Sequence, residues 1–305
     1  MSFLNKKYSG VVVPMVSPFN SDFSVDVISA EKIAEKIVNA GTIPFVLGST
    51  GEGPSMSLTQ KTALVKTVVN TVKGNVNVYV GLSANSLKTA QEEAQLFADL
   101  GAEVLVATLP FYFPINENQM LRYFETLANE SPLPMVLYNM PSMVKRSIPL
   151  EVAEKLSEHP NIVGLKDSER DEDRLSKSMA LWKNREDFSF LIGWAAMSAK
   201  GLINGADGIV PSTGNFCPEL YDDLYKASRN GNIELAHDLQ NITDRVSSFY
   251  QKDRDLSEAI PALKAMMALR GLCTPEVLPP MYRMTQNMEE EYLLNTQKEL
   301  LALYL

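Results

Sequence analysis

The run Asn161-Ile162-Val163-Gly164-Leu165-Lys166-Asp167-Ser168 reads as a short aliphatic strand that finishes on an amine. Strands buried on both faces of a parallel sheet look like this: rich in Val, Ile and Leu, with no strict polar alternation. Seven further runs share the pattern, at residues 10–14, 44–48, 77–82, 104–108, 135–139, 188–193 and 208–211. Amphipathic helical sequence fills the gaps. Ile33 and Ile37 make one apolar stripe, which Gly41 stops. Ser57 and Gln60 have capping-box spacing ahead of Leu64 and Val68, and Gly74 ends that helix. Ala90, Ala94 and Phe97 form a third stripe closed by Gly101; Val152 and Leu156 form a fourth, stopped by Pro160.

Strand after strand followed by helix predicts an α/β fold, a (β/α)8 TIM barrel. An open doubly wound sheet would carry a Gly-rich first crossover, and Pro14-Met15-Val16-Ser17-Pro18 is not one. From about residue 218 the sequence reads as helical to its end, which is more than a last barrel helix needs. The expected organisation is one structural domain. Residues 1–217 would hold the barrel strands and active site, and residues 218–305 the last barrel helix and a C-terminal helical extension.

Bulk properties narrow the function. The chain has 305 residues, 45% hydrophobic and 21% charged, which are ordinary globular values. A net charge of -9 with scattered Lys and Arg disfavours a nucleic-acid partner. No run reaches the length of a membrane span, and Met1-Ser2-Phe3-Leu4-Asn5-Lys6-Lys7 lacks a signal-peptide pattern, so a cytoplasmic protein is expected. Cys217 and Cys273 are far apart and read as free thiols. The only histidines, His159 and His237, lie away from every motif, so neither a His-based metal site nor a triad is expected.

Barrel active sites are built at the C-terminal ends of the strands. Lys166 stands at such an end. Desolvation there disfavours the ammonium and lowers the pKa from about 10.4, and a neutral amine attacks ketones to form imines. The second strand ends in Gly48-Ser49-Thr50-Gly51-Glu52-Gly53, where consecutive N–H groups and the Ser49 and Thr50 hydroxyls suit a carboxylate. Tyr138 ends the fifth strand and can move a proton at the barrel mouth. The fourth leads into Pro110-Phe111-Tyr112-Phe113-Pro114, a stiff aromatic loop able to roof the site or enter a neighbouring subunit. Gly193 ends the seventh strand. The eighth adds the Val210 backbone carbonyl and the Ser212 hydroxyl. Together these parts bind a 2-oxo acid, condense its ketone with an amine and shuttle protons.

The chain resembles the dihydrodipicolinate synthase / N-acetylneuraminate lyase family over nearly its whole length. The resemblance rests on Gly48-Ser49-Thr50-Gly51-Glu52, Pro110-Phe111-Tyr112, Tyr138-Asn139-Met140-Pro141 and Gly164-Leu165-Lys166-Asp167, in that order and spacing. It implies class I aldolase chemistry with no metal or organic cofactor, in a homotetramer built as a dimer of dimers. Lys166 matches the family's Schiff-base lysine and Tyr138 its proton-shuttling tyrosine. Ser49 and Thr50 match the pyruvate carboxylate site, Tyr112 a tyrosine that enters the neighbouring subunit, and Ser212 a substrate-binding serine of the lyases.

Two positions depart from the pattern. Met143 stands where the synthases carry a carboxylate-binding arginine, and a thioether forms no bidentate pair. Ala195 and Ala196 follow Gly193 and Trp194, where sialic acid lyases carry an acidic pair that grips sugar hydroxyls. The expected activity is therefore Schiff-base cleavage or formation of a 2-oxo acid from pyruvate and an aldehyde. The expected substrate is a 2-keto-3-deoxy sugar acid or 4-hydroxy-2-oxoglutarate. Alternatives are the synthase or lyase proper, a related dehydratase or deaminase, and a non-catalytic keto-acid-binding barrel.

Overall fold

The computed structural model describes residue 4 and residues 6–303; most of the N-terminal stretch read above for a signal lies outside them. Eight strands pair in parallel: β1 (Gly10–Pro14), β2 (Ile43–Val46), β3 (Tyr79–Leu82), β4 (Val104–Thr108), β5 (Met135–Asn139), β6 (Ile162–Asp167), β7 (Ser189–Ile192) and β8 (Gly208–Ile209). Each pairs with the next, and β8 returns to β1, closing a (β/α)8 barrel.

Three strands end earlier than the sequence suggests, β7 by one residue at Ile192 and β2 and β8 by two for backbone reasons. Leu47 has φ 59°, which turns the chain out of β2 before Gly48. Pro211 has no N–H to give the sheet, and a 3-10 turn over Ser212–Asn215 replaces the end of β8.

The expected helix signals act as read. Ser57 and Gln60 form a reciprocal capping box; the structure adds caps not read from the sequence, Asp26 and Ser86, on the helices Val27–Asn39 and Leu87–Asp99. The helix Pro218–Arg229 completes the outer ring. Beyond it, helices Ile233–Gln251, Leu256–Leu269 and Gln286–Ala302 form the C-terminal extension. No helix among the described residues is long and apolar enough to cross a membrane.

The core has two layers, as strand alternation requires. Outward residues such as Leu105, Leu137 and Leu165 join the helices' apolar stripes. Inward residues, among them Val12, Phe45, Val106, Val136, Tyr138 and Leu191, fill the barrel. Near the N-terminal ends of the strands, buried Lys6 donates to Asp207 and to the carbonyls of Trp182 and Phe188 at 2.8–2.9 Å.

Candidate active site

Alternation along β6 sends Leu165 outward and Lys166 into the barrel, where it pairs in register with Tyr138 of β5. The Lys166 side chain is walled by aromatic rings. Its Nζ lies 3.7 Å from the Tyr138 ring centroid and 4.8 Å from that of Phe45, and the residue is only 4% exposed. Burial pushes the amine below its ordinary pKa. Among the described residues only the Tyr138 phenol acts in the opposite direction, and the net direction is down.

Burial pushes the Tyr138 phenol up. The Lys166 charge and hydrogen bonds with Ser49, Lys166 and Ser168 outweigh it and bring the phenol down. That lowering needs the ammonium, so the two groups titrate as a pair. An amine easily made neutral beside a phenol easily made anionic is an arrangement for moving a proton between them.

Ser168 is a residue that sequence reasoning quoted without giving it a role. It follows Lys166 by two positions, which is the inward period of a strand. Gly193 admits it: a Cβ on Gly193 would stand 2.0 Å from the Ser168 Oγ. The structure thus gives Gly193 a spatial reason to be glycine.

The loop after β2 is held in an unusual shape. Leu47 and Glu52 both take left-handed φ values, 59° and 56°. Gly53 closes the turn against Leu47, whose carbonyl oxygen would be 2.1 Å from an added Cβ. The Ser17 hydroxyl donates to the Gly51 carbonyl at 2.5 Å. Glu52 anchors the far end through a fully buried ion pair. Its Oε1 lies 2.7 Å from Lys264 Nζ, and its Oε2 accepts from the Leu278 N–H at 2.7 Å. Lys264 also donates to the Glu276 carbonyl. The C-terminal extension therefore grips the loop that carries Ser49 and Thr50, a linkage the sequence reading did not foresee.

A cavity of about 270 Å³ has Phe45, Ser49 and Tyr138 in its lining; Lys166, packed against the Phe45 and Tyr138 rings, is not itself in that lining. Its walls continue past residue 217 to Leu256, Ile260, Pro280 and Met281, so the site is not confined to the segment assigned to it from sequence. Thr50 is buried next to Ser49 but does not line the cavity. Val210 lies in the same barrel-interior cluster as Tyr138.

Two expected residues sit apart. Tyr112 is 75% exposed on the loop after β4, where the Asn85 Oδ1 accepts from the N–H groups of Phe111 and Tyr112. Ser212 is committed to the C-terminal extension: its hydroxyl is 2.7 Å from that of Tyr250, and Gln251 donates to it at 3.3 Å. Trp194 packs against the outer core.

Behind the strand ends, Asn139 donates to Asp167 and Glu169 at 2.9 Å each and accepts from the Ile148 N–H. Arg174 pairs with Asp167 at 2.6 Å and with Glu169 at 3.3 Å. This network faces away from Lys166 and fixes the tips of β5 and β6. Cys217 and Cys273 are free and buried, and burial pushes their thiols up to about 12 and about 11. No cluster of three or more His, Cys, Asp or Glu is placed to hold a metal ion among the described residues.

Comparison with known proteins agrees with this architecture. The model of the dihydrodipicolinate synthetase family matches residues 7–298. A probable 2-dehydro-3-deoxy-D-pentonate aldolase, YjhH, of Escherichia coli K12 is 29% identical over 281 residues, covering 90% of this chain and 92% of that protein. The solved dihydrodipicolinate synthase of Bacteroides thetaiotaomicron superposes with a TM-score of 0.90 at 30% identity, covering 97% of this chain and all of that one (100%). YagE of E. coli K12, solved in complex with pyruvate, gives a TM-score of 0.89 at 25% identity, covering 96% of this chain and 98% of that one. With a family model matched over nearly its whole length, the chain belongs to the dihydrodipicolinate synthetase family.

Proposed function

We propose that the protein is a class I aldolase that interconverts a 4-hydroxy-2-oxo acid with pyruvate and an aldehyde. The observation that carries this reading is the Lys166 amine, buried in the barrel 3.7 Å from the Tyr138 ring, with no carboxylate among the described residues acting to keep it charged. The substrate's carboxylate settles at the loop bearing Ser49 and Thr50. Neutral Lys166 attacks C2, and loss of water gives a protonated imine. That cation accepts the electron pair of the C3–C4 bond as it breaks. Tyr138, hydrogen-bonded with Ser49 and Ser168, takes the C4 hydroxyl proton, and the aldehyde departs. The enamine left behind is protonated at C3, and water hydrolyses the imine to pyruvate and free amine.

YagE, solved with pyruvate, supports the pyruvate half. The name of the E. coli relative supports an aldolase acting on a 2-oxo acid; the hydroxylated aldehyde half of a 2-keto-3-deoxy sugar acid, expected from the sequence, suits the largely apolar cavity less well. The exposed Tyr112 and Phe113 suit an interface, and we place them between copies in the expected tetramer.

The test is reductive trapping. Incubation with pyruvate and borohydride should add the mass of one reduced pyruvate adduct, mapped to Lys166. No adduct, or one on another lysine, would overturn the assignment.

A further inference from the structure

The cavity lined by Phe45 and Tyr138, whose rings wall Lys166, is largely apolar. The short helix Pro141–Val144 presents Met143 and Val144, with Met140 just before it. The C-terminal extension presents Leu256, Ile260 and Met281 from the other side. Among the described residues the only charged side chain in the lining is Glu52, and both its carboxylate oxygens are engaged, by Lys264 and by the Leu278 N–H, at 2.7 Å each. The other polar side chains there are hydroxyls: Ser49, Ser55, Ser83, Thr108, Tyr138 and Ser257.

We infer that the aldehyde half of the substrate is uncharged and carries an apolar chain, which lies between the methionines and the C-terminal wall. This inference rests on the aldolase reading above and adds the substrate class. A distal carboxylate would lose its water here without gaining a cation, and burying an unpaired charge is strongly unfavourable. A polyhydroxy chain would find hydroxyls at Ser49, Ser55, Ser83, Thr108 and Ser257 but no partner along Met140, Met143, Val144, Leu256, Ile260 and Met281. An alkyl or aryl chain instead gains from every carbon it removes from water. Methionines suit such a wall because their flexible thioethers adapt to chains of different shape.

In the condensing direction, the enamine C3 attacks the aldehyde carbon. The aldehyde oxygen takes its proton from Tyr138, and water releases a 4-hydroxy-2-oxoalkanoate from Lys166. No other reagent enters.

The experiment has two arms on the intact enzyme. The first is the borohydride trap with pyruvate, which reports imine formation alone. The second measures kcat/KM for pyruvate with propanal, butanal, pentanal and benzaldehyde, and with glyoxylate, succinic semialdehyde, glycolaldehyde and glyceraldehyde, the products read by mass spectrometry. Each added methylene from propanal to pentanal should raise kcat/KM about 4-fold, the ratio that follows from burying one CH2. Pentanal and benzaldehyde should outrun all four polar aldehydes. Met143→Arg should shift the ratio of glyoxylate to pentanal upward by on the order of tenfold or more, because it supplies the missing cation.

Adduct formation with glyoxylate or glyceraldehyde preferred, with a flat alkanal series, or with no aldehyde consumed would overturn the apolar assignment and leave the imine chemistry standing. Failure to trap pyruvate on Lys166 would remove both.

Discussion

Replacing Lys264 with methionine tests how the C-terminal extension supports the site. Both side chains of the Lys264–Glu52 pair have no exposed surface, and their charged atoms are 2.7 Å apart. Removing the amine leaves the Glu52 carboxylate buried with one remaining bond, from the Leu278 N–H. Breaking a buried pair on one side costs about 3–5 kcal/mol. For a chain of this size, at about 2 °C per kcal/mol, the Tm should fall by roughly 6–10 °C.

The sign of the pH dependence follows from Glu52. Burial already pushes its carboxyl above 4.5 in the folded protein, and Lys264 opposes that push. Without the lysine, the folded pKa rises further above its unfolded value. Between the two values the folded state holds the extra proton, so stability falls as pH rises. The cost of Lys264→Met should be smaller near pH 5 than near pH 8. Adding Glu52→Gln removes the stranded charge and should recover most of the loss. Urea unfolding of the wild type, both single variants and the double variant at the two pH values measures all of this. A cost below about 1 kcal/mol, or one identical at both pH values, would refute the account of a buried charge stranded without its partner. Since Glu52 ends the loop that carries Ser49, the same variant should bind pyruvate more weakly.

Three further outcomes are expected. Tyr138→Phe should lower kcat by about 10²-fold, the scale of lost acid–base assistance, while the pyruvate adduct on Lys166 still forms, as measured by steady-state kinetics alongside trapping. The initial rate of trapping should rise with pH through one ionisation below 10.5, because burial depresses the Lys166 amine and the neutral form reacts; Tyr138→Phe should move that ionisation lower still, since the phenol is the group that raises it. Across the interval between the depressed and unfolded values the unfolded chain binds more protons, so the Lys166 contribution to stability grows as pH rises there. Gly193→Ala should cost about 1–3 kcal/mol in urea unfolding and lower kcat, because its Cβ collides with the Ser168 hydroxyl; adding Ser168→Gly should restore part of the stability but not the rate.

What was legible in the sequence divides along sequence separation. The barrel was legible because each strand and helix announces itself locally: Ser57 and Gln60 cap their own helix, and Gly41 and Gly101 stop theirs with positive φ. Lys166 and Tyr138 were legible as strand ends, and the closed parallel order brings them into register with no further information. Ser168 was within reach, since period two along β6 puts residues 164, 166 and 168 on one face. Strands buried on both sides hide that period, and only an inward lysine reveals it.

The remainder depends on partners far along the chain. Ser212 reads as a mouth residue until the Tyr250 hydroxyl, 38 positions later, takes its hydrogen bond. The Glu52–Lys264 pair spans 212 positions. Leu256, Ile260 and Met281 lie in a segment whose pattern says helix and extension, and nothing in that pattern says that it walls a cavity over β2 and β5. For the aldolase proposed above, substrate choice would lie in that wall. The position of Lys166 is set by the barrel, which local sequence specifies; the proposed aldehyde would meet residues that only the packing of the extension brings to the mouth. A reading of motifs therefore reaches the pyruvate half of the reaction and stops short of the other half.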